Sequence, residues 1–244
     1  MIDWLRDDHR DPSVTLSDRT LPIALRRHAR ATRLTMRLAA DGTELRITLP
    51  RWGRTKDALA FAKSRTAWIE TQLARIPQAI TVAAGTVLPF RGFEVLLDWQ
   101  DKAPRKPRLV DDRLILGGPH ETIEGRTRRW LEAQAIAHLQ DDLAHYCARG
   151  SQDLPDLRLS RAKRRWGSCT GERETGRCIR INWRLIMAPD HVRRSVVAHE
   201  VAHLTHFDHS PAFHGVLGDL FEGDIADADQ WLKAEGRGLY AAFG

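Results

Sequence analysis

His199-Glu200-Val201-Ala202-His203 spell H-E-x-x-H. On a helix the two histidines lie one turn apart on the same face, able to grip one cation. Glu200 is turned from the ligand direction but can take a proton from an activated water and later pass it to a leaving group. Zinc suits this chemistry, because it lowers the pKa of water from about 15.7 to roughly 7 and polarises a scissile carbonyl. The pentapeptide arises by chance in roughly two such sequences per hundred, so its surroundings matter. Val192, Val196, Val197, Val201 and Leu204 give the segment a buried apolar side. A glutamate and two histidines there are costly without a metal or partners. The bland alternative is a helix with hydrogen-bonded core histidines.

A catalytic zinc site takes a third protein ligand and keeps a fourth position open. His209 leads, provided the helix stops first: in a continued helix six residues turn it about 240° from His203. Phe207-Asp208-His209-Ser210-Pro211 offers the break, since His and Asp tolerate left-handed backbone and Pro211 disfavours a helical Ser210. Glu222 is the alternative, expected on a later helix like the carboxylate ligand of thermolysin-like zincins. The histidine spacing matches metzincins, but His206 stands where their glycine stands and no methionine follows the motif. His206 and His214 read as supporting or surface residues, either of them able to steady a developing oxyanion. Asn182, Arg184 and His214 are candidate oxyanion stabilisers by chain proximity.

Several elements must hold these residues. LPIALRRHA, RLTMRL and ELRITLP alternate apolar with polar residues, with Asp41-Gly42 as a hairpin turn, which predicts a small antiparallel sheet. Thr55 to Ile76 predicts one helix, N-capped by Thr55 and ended by Pro77. Short strands follow from Ile80 to Leu116, then a Gly117-Gly118-Pro119 connector and a long amphipathic helix from Glu121 to Arg149. LRLSRAKRRWGSC and RCIRINWRLIM predict two strands around a polar turn. Pro189 then suits the first turn of the helix carrying HEVAH. A further helix should start at Pro211 behind a Ser210 cap, and a last one should run from about Ala228 to Ala234. The fold class is α+β: an N-terminal extension (1–19), a β-rich subdomain with one helix (20–118) and a catalytic domain (119–244).

The composition is globular: 244 residues, 42% hydrophobic and 29% charged. The acidic N-terminus lacks the apolar run of a signal peptide and no stretch is long enough to span a bilayer, so a cytoplasmic location is expected. Cys147, Cys169 and Cys178 lack CxxC spacing, which argues against a disulfide framework or zinc ribbon and for buried thiols. Charge divides unevenly: 34 basic against 23 acidic residues over 1–188, net +11, and 4 against 9 over 189–244, net −5. The basic portion can attract nucleic acid, or is simply a solvated surface.

The chain resembles the YgjP-like (WLM- and SprT-related) zinc metallopeptidases. The resemblance runs from RRWGSC (Arg164–Cys169) through INWRLIMAP (Ile181–Pro189) to HEVAH and DHSPAFHGVL, and more weakly reaches back over Arg26–Ile69. It implies a minimal zincin-like metallopeptidase domain with His199, His203 and His209 as zinc ligands and Glu200 as general acid/base. By position, RWGSC should lie on or after a strand near the active-site helix, where an exposed edge can bind an extended peptide; the alternative is a buried Trp, a tight Gly and a packed Cys. Nothing fixes a base beside Cys169 as a nucleophile. The expected function is zinc-dependent hydrolysis of peptide bonds in peptides or unfolded proteins. Three other readings compete. One is a nucleotide or phosphate hydrolase, suggested by Arg26, Arg27, Arg30, Arg33 and Lys163-Arg164-Arg165. The others are a nucleic-acid-associated protease acting on DNA-bound proteins, and a structural zinc protein, the last disfavoured by only three ligands and by Glu200.

Overall fold

The computed structural model describes residues 12–39, 42–74, 76, 78–163, 165–171 and 176–243. The chain divides into two compact units, Met1–Pro77 and Gln78–Gly244.

In the first, β1 (Ser13–Thr15), β2 (Thr20–Arg27), β3 (Thr35–Leu38) and β4 (Leu45–Leu49) precede α1 (Thr55–Lys63) and α2 (Thr66–Ala74). The β3–β4 hairpin forms as its alternation predicts, with Gly42 at φ +71°; Asp41 lies outside the described residues. The sheet is mixed rather than antiparallel, in the order β1-β2-β4-β3. The hairpin places β4, not β3, beside β2, so the two run parallel from Ile23↔Leu45 to Arg27↔Leu49. Leu21, Ile23, Leu45 and Ile47 are buried with Ala58, Ala62 and Ile69 in this unit's own core. The single helix expected over 55–76 is broken at Ser64-Arg65, where the Ser64 hydroxyl donates to the Phe61 carbonyl. Thr55 is its first helical residue, not its cap; Arg54 takes that place without a side-chain bond. Pro77, expected to end the helix, lies outside the described residues.

The second unit starts with β5 (Val87–Phe90), β6 (Phe93–Trp99), β7 (Arg108–Val110) and β8 (Arg113–Leu116), ordered β5-β6-β8-β7. The 27-residue α3 (Ile123–Arg149) follows. Then come β9 (Asp156–Ser160), β10 (Gly167–Thr170), β11 (Cys178–Asn182), a 3-10 turn (Trp183–Met187), α4 (Asp190–Ala202), α5 (Pro211–Leu220) and α6 (Ile225–Glu235). A 3-10 turn, Gly236–Tyr240, follows α6. The α+β class holds, but the second sheet of this unit is mixed too: β10 is antiparallel and β9 parallel to β11. Compact division falls at Pro77/Gln78 rather than at Gly117-Gly118-Pro119. A small sheet needs a partner for its apolar face. Leu88, Val95, Leu97, Leu114 and Leu116 find theirs in one core with Ile123, Leu131 and Leu139, and Phe90 stacks on Trp130 at 5.0 Å.

That core holds α4. Val192, Val197, Ala198 and Val201 are fully packed on it. Pro189 stands one place earlier than expected, as the N-cap. The Arg193 guanidinium, 3% exposed, donates to Asp142 of α3 at 2.8 Å and also to Asp190. Despite partial burial, Asp190 is held at about 2 because Arg91 and Arg193 both bind its carboxylate. Asp142→Asn leaves a buried cation short of its counter-charge, so we expect a loss of about 3 kcal/mol in urea unfolding. An unchanged midpoint and slope would show that Asp190 alone suffices. Among the described residues no helix is long and apolar enough to cross a membrane.

Candidate metal centre

Helix α4 ends at Ala202 with His203 as its C-cap. The N–H groups of Leu204 and Thr205 donate to the Val201 and Ala202 carbonyls, tightening the last turn. No left-handed residue makes the break that follows: the non-glycine residues at positive φ among those described are Arg91, Asp111 and Ser151. Instead the Ser210 N–H donates to Asp208 Oδ1 at 3.3 Å. Ser210 then caps α5, its Oγ accepting from the Phe213 N–H, with Pro211 in the first turn as predicted.

This reversal carries His209 back. Its Nε2 lies 3.2 Å from His199 Nε2. One ring nitrogen from each of His199, His203 and His209 falls within 4.8 Å of the others. Nitrogens bound tetrahedrally at zinc distances stand about 3.3 Å apart, so the His199–His209 pair already has ligand spacing. The fully buried Phe213 ring packs on all three imidazoles at 4.6–5.0 Å between centroids. A carbonyl can only accept, so the His203 Nδ1–H donates to His206 O at 2.9 Å, leaving Nε2 unprotonated. Burial, then the neighbouring imidazoles, lower His199 to about 4 and keep it neutral at pH 7, the form that ligates metals.

Glu200 is 5% exposed, and burial raises its carboxyl to about 7 against the pull of the Cys169 N–H and Arg165. Its Oε2 is buried without a hydrogen-bond partner. Strand β10 runs beside it. A Cβ added to Gly167 would stand 2.3 Å from Glu200 Oε1 and 2.7 Å from its Cγ, so only glycine lets strand and carboxylate come this close. Gly167→Ala should therefore displace Glu200 and slow peptide hydrolysis on the order of a hundredfold, with metal content unchanged. Wild-type turnover in that variant would show that the strand yields instead.

Other candidates go elsewhere. Glu222 sits in the α5–α6 connection, not on a helix, accepts from Tyr146 Oη at 2.9 Å and forms an ion pair with Arg194 Nη2 at 2.7 Å; it is not among the clustered ligands. Asn182 spends its amide on Ala162 O, Tyr240 Oη and the Arg184 N–H. Arg184 is buried between the Trp183 and Tyr240 rings and donates to Phe243 O. Neither is aimed at the histidines. His214 is exposed, close enough to depress His199, and His206 contributes its carbonyl. All three thiols are free, Cys147 buried and the others half-buried. Burial and the nearby Glu200 raise the Cys169 thiol, the wrong direction for a nucleophile. Phe213 and Gly167 were missed as site residues, although both lie in motifs that the sequence picks out.

A helix carrying a histidine pair and a buried carboxylate, with a third imidazole returned by a loop, is an arrangement found in metallopeptidases. The YgjP-like metallopeptidase domain family matches residues 32–235. The chain belongs to that family, which points to a metal-using hydrolase of peptide bonds. No curated protein and no solved structure matches it.

Proposed function

We propose that the protein is a zinc-dependent peptidase, with a zincin-like domain in which His199, His203 and His209 hold the metal and Glu200 is the general acid/base. The convergence of three imidazole nitrogens beside a buried carboxylate with one unpartnered oxygen carries this reading. When bound, zinc supplies a Lewis acid that polarises the scissile carbonyl and acidifies the attacking water. Glu200 Oε2 takes the proton of that water as its oxygen bonds to the carbonyl carbon. It then delivers the proton to the amide nitrogen, which leaves as an amine when the C–N bond breaks.

Strand β10 suits an extended substrate. It is the edge of its sheet, and the Asn182 N–H donates to Trp166 O at 2.7 Å. Antiparallel alternation then turns the main chain of Gly167 and Cys169 away from β11, toward the side where Glu200 lies, and a peptide can add along it.

A phosphate substrate fits less well. The cleft beside Glu200 is walled by Trp166, Val196 and Leu217 with Asp229, which repel or fail to bind an anion. Nucleic-acid binding gains no support from the comparisons, and charge alone does not carry it.

Chelation tests the proposal. The protein should lose its hydrolysis of an unfolded protein in chelator and regain it with about one equivalent of zinc. Activity indifferent to the chelator would refute a metal mechanism.

A further inference from the structure

A cleft of ≈ 240 Å³ opens beside the candidate metal centre. His199 and Glu200 line it; His203 and His209 do not. It therefore lies on the carboxylate side of the histidine cluster. That asymmetry has a chemical meaning. The group that protonates a leaving amine must come within hydrogen-bond reach of its nitrogen, about 3 Å. Glu200 is that group, so the residue contributing the amine sits over this cleft, and its side chain starts two bonds from the nitrogen.

The walls are apolar. Val196 of α4 and Leu217 of α5 are buried, while Trp166, Ile225 and Leu232 are half-buried. The Ser195 hydroxyl, also on the wall, is spent on the Val192 carbonyl at 2.8 Å. Trp166 is fixed from behind by Tyr240, 5.6 Å between ring centroids, and by Gly236, where a Cβ would approach the indole to 2.9 Å. Helix α6 contributes Ile225, Asp229 and Leu232. Their spacing, i, i+4 and i+7, defines one face of the helix. Asp229 is largely exposed and 4.0 Å from Lys233, so it is a charged rim rather than a floor.

We infer that this cleft binds the side chain of the residue immediately C-terminal to the cleaved bond, that it takes an apolar side chain of the leucine, methionine or phenylalanine class, and that Leu232 on α6 sets its size. This rests on the peptidase reading. Asp and Glu are excluded at that position, because they would be desolvated against apolar walls and repelled by Asp229 and Glu200. A single methylene in such a pocket is worth roughly 10–200-fold in selectivity, enough to dominate the choice of bond.

The test digests a randomised peptide library with the zinc-loaded full chain and reads cut sites by mass spectrometry, in wild type, Leu232→Trp and Leu232→Ala. Peptides of fixed sequence that differ only in one central residue, Leu, Phe, Ala or Asp, are also titrated against Glu200→Gln, alone and combined with each Leu232 variant, to read binding without turnover. Wild type should cut before Leu, Met or Phe about tenfold or more above Asp and Glu. Leu232→Trp should move the preference to Gly, Ala and Ser, and Leu232→Ala should move it to Phe and Trp. If Leu232→Trp fails to fold by circular dichroism, the Ala variant decides. Cleavage without preference at that position, or with a preference unmoved by the folded variants, overturns the cleft assignment and leaves the peptidase intact. Apolar-selective, Leu232-dependent binding without cleavage sustains the cleft and defeats the peptidase. Neither cleavage nor binding defeats both.

Discussion

Glu200→Gln is expected to bind zinc like wild type and to hydrolyse an unfolded protein roughly 10³-fold more slowly. The amide keeps the shape of the carboxylate, so the Gly167 main chain still accommodates it. What it loses is proton affinity. Burial holds the wild-type carboxyl at about 7, near the pH at which the proposed mechanism has it accept a proton and return it. Its Oε2, buried and unpartnered, has no competing donor to satisfy first. Metal content by atomic absorption and turnover on the same sample separate the two roles. Full activity with zinc bound would remove Glu200 from the mechanism.

The candidate metal centre is legible in the sequence because helix periodicity and the Ser210-Pro211 cap are local signals. They place His199, His203 and the start of α5 without knowledge of anything distant, and the break they imply at Phe207–Pro211 brings His209 forward, as the resemblance does too. What is not legible depends on neighbours far along the chain. The parallel pairing of β2 with β4 follows from which strand of a hairpin lands beside β2, and alternation reads the same for either direction. The helix predicted over 55–76 keeps its apolar period through a break at Ser64-Arg65, so pattern alone does not reveal it. Strands β5 to β8 read as part of an N-terminal subdomain until Leu97 and Leu114 are seen in one core with Leu131. The sequence puts RWGSC near the helix that carries HEVAH, yet why its glycine must be glycine emerges only from the carboxylate beside it. Phe213, the shared packing surface of three imidazoles, reads in sequence as one more core aromatic.

His209→Ala is expected to weaken zinc binding by a hundredfold or more, whereas Glu222→Ala should leave it unchanged. The contrast follows from where each side chain points. His209 is exposed, so truncating it sacrifices little packing, and its Nε2 meets His199 Nε2 at 3.2 Å. Two imidazole nitrogens at that separation either make an N–H···N hydrogen bond between neutral rings or share a cation. A ring nitrogen of His203 converges on the same point, and three converging imidazoles favour the cation. Glu222 instead completes an ion pair with Arg194, itself 32% exposed, and a hydrogen bond from Tyr146. Its removal should cost at most about 1 kcal/mol of stability, as partly exposed pairs do. Titrating a zinc-competing chelator against each variant reads the affinity directly, with thermal melts run alongside to separate metal loss from unfolding. Equal affinities for His209→Ala and wild type, with both folded, would mean that two histidines hold the metal and that the loop returning His209 serves something else. Loss in Glu222→Ala alone would mean that the α5–α6 connection swings inward on binding, exchanging Arg194 for the cation.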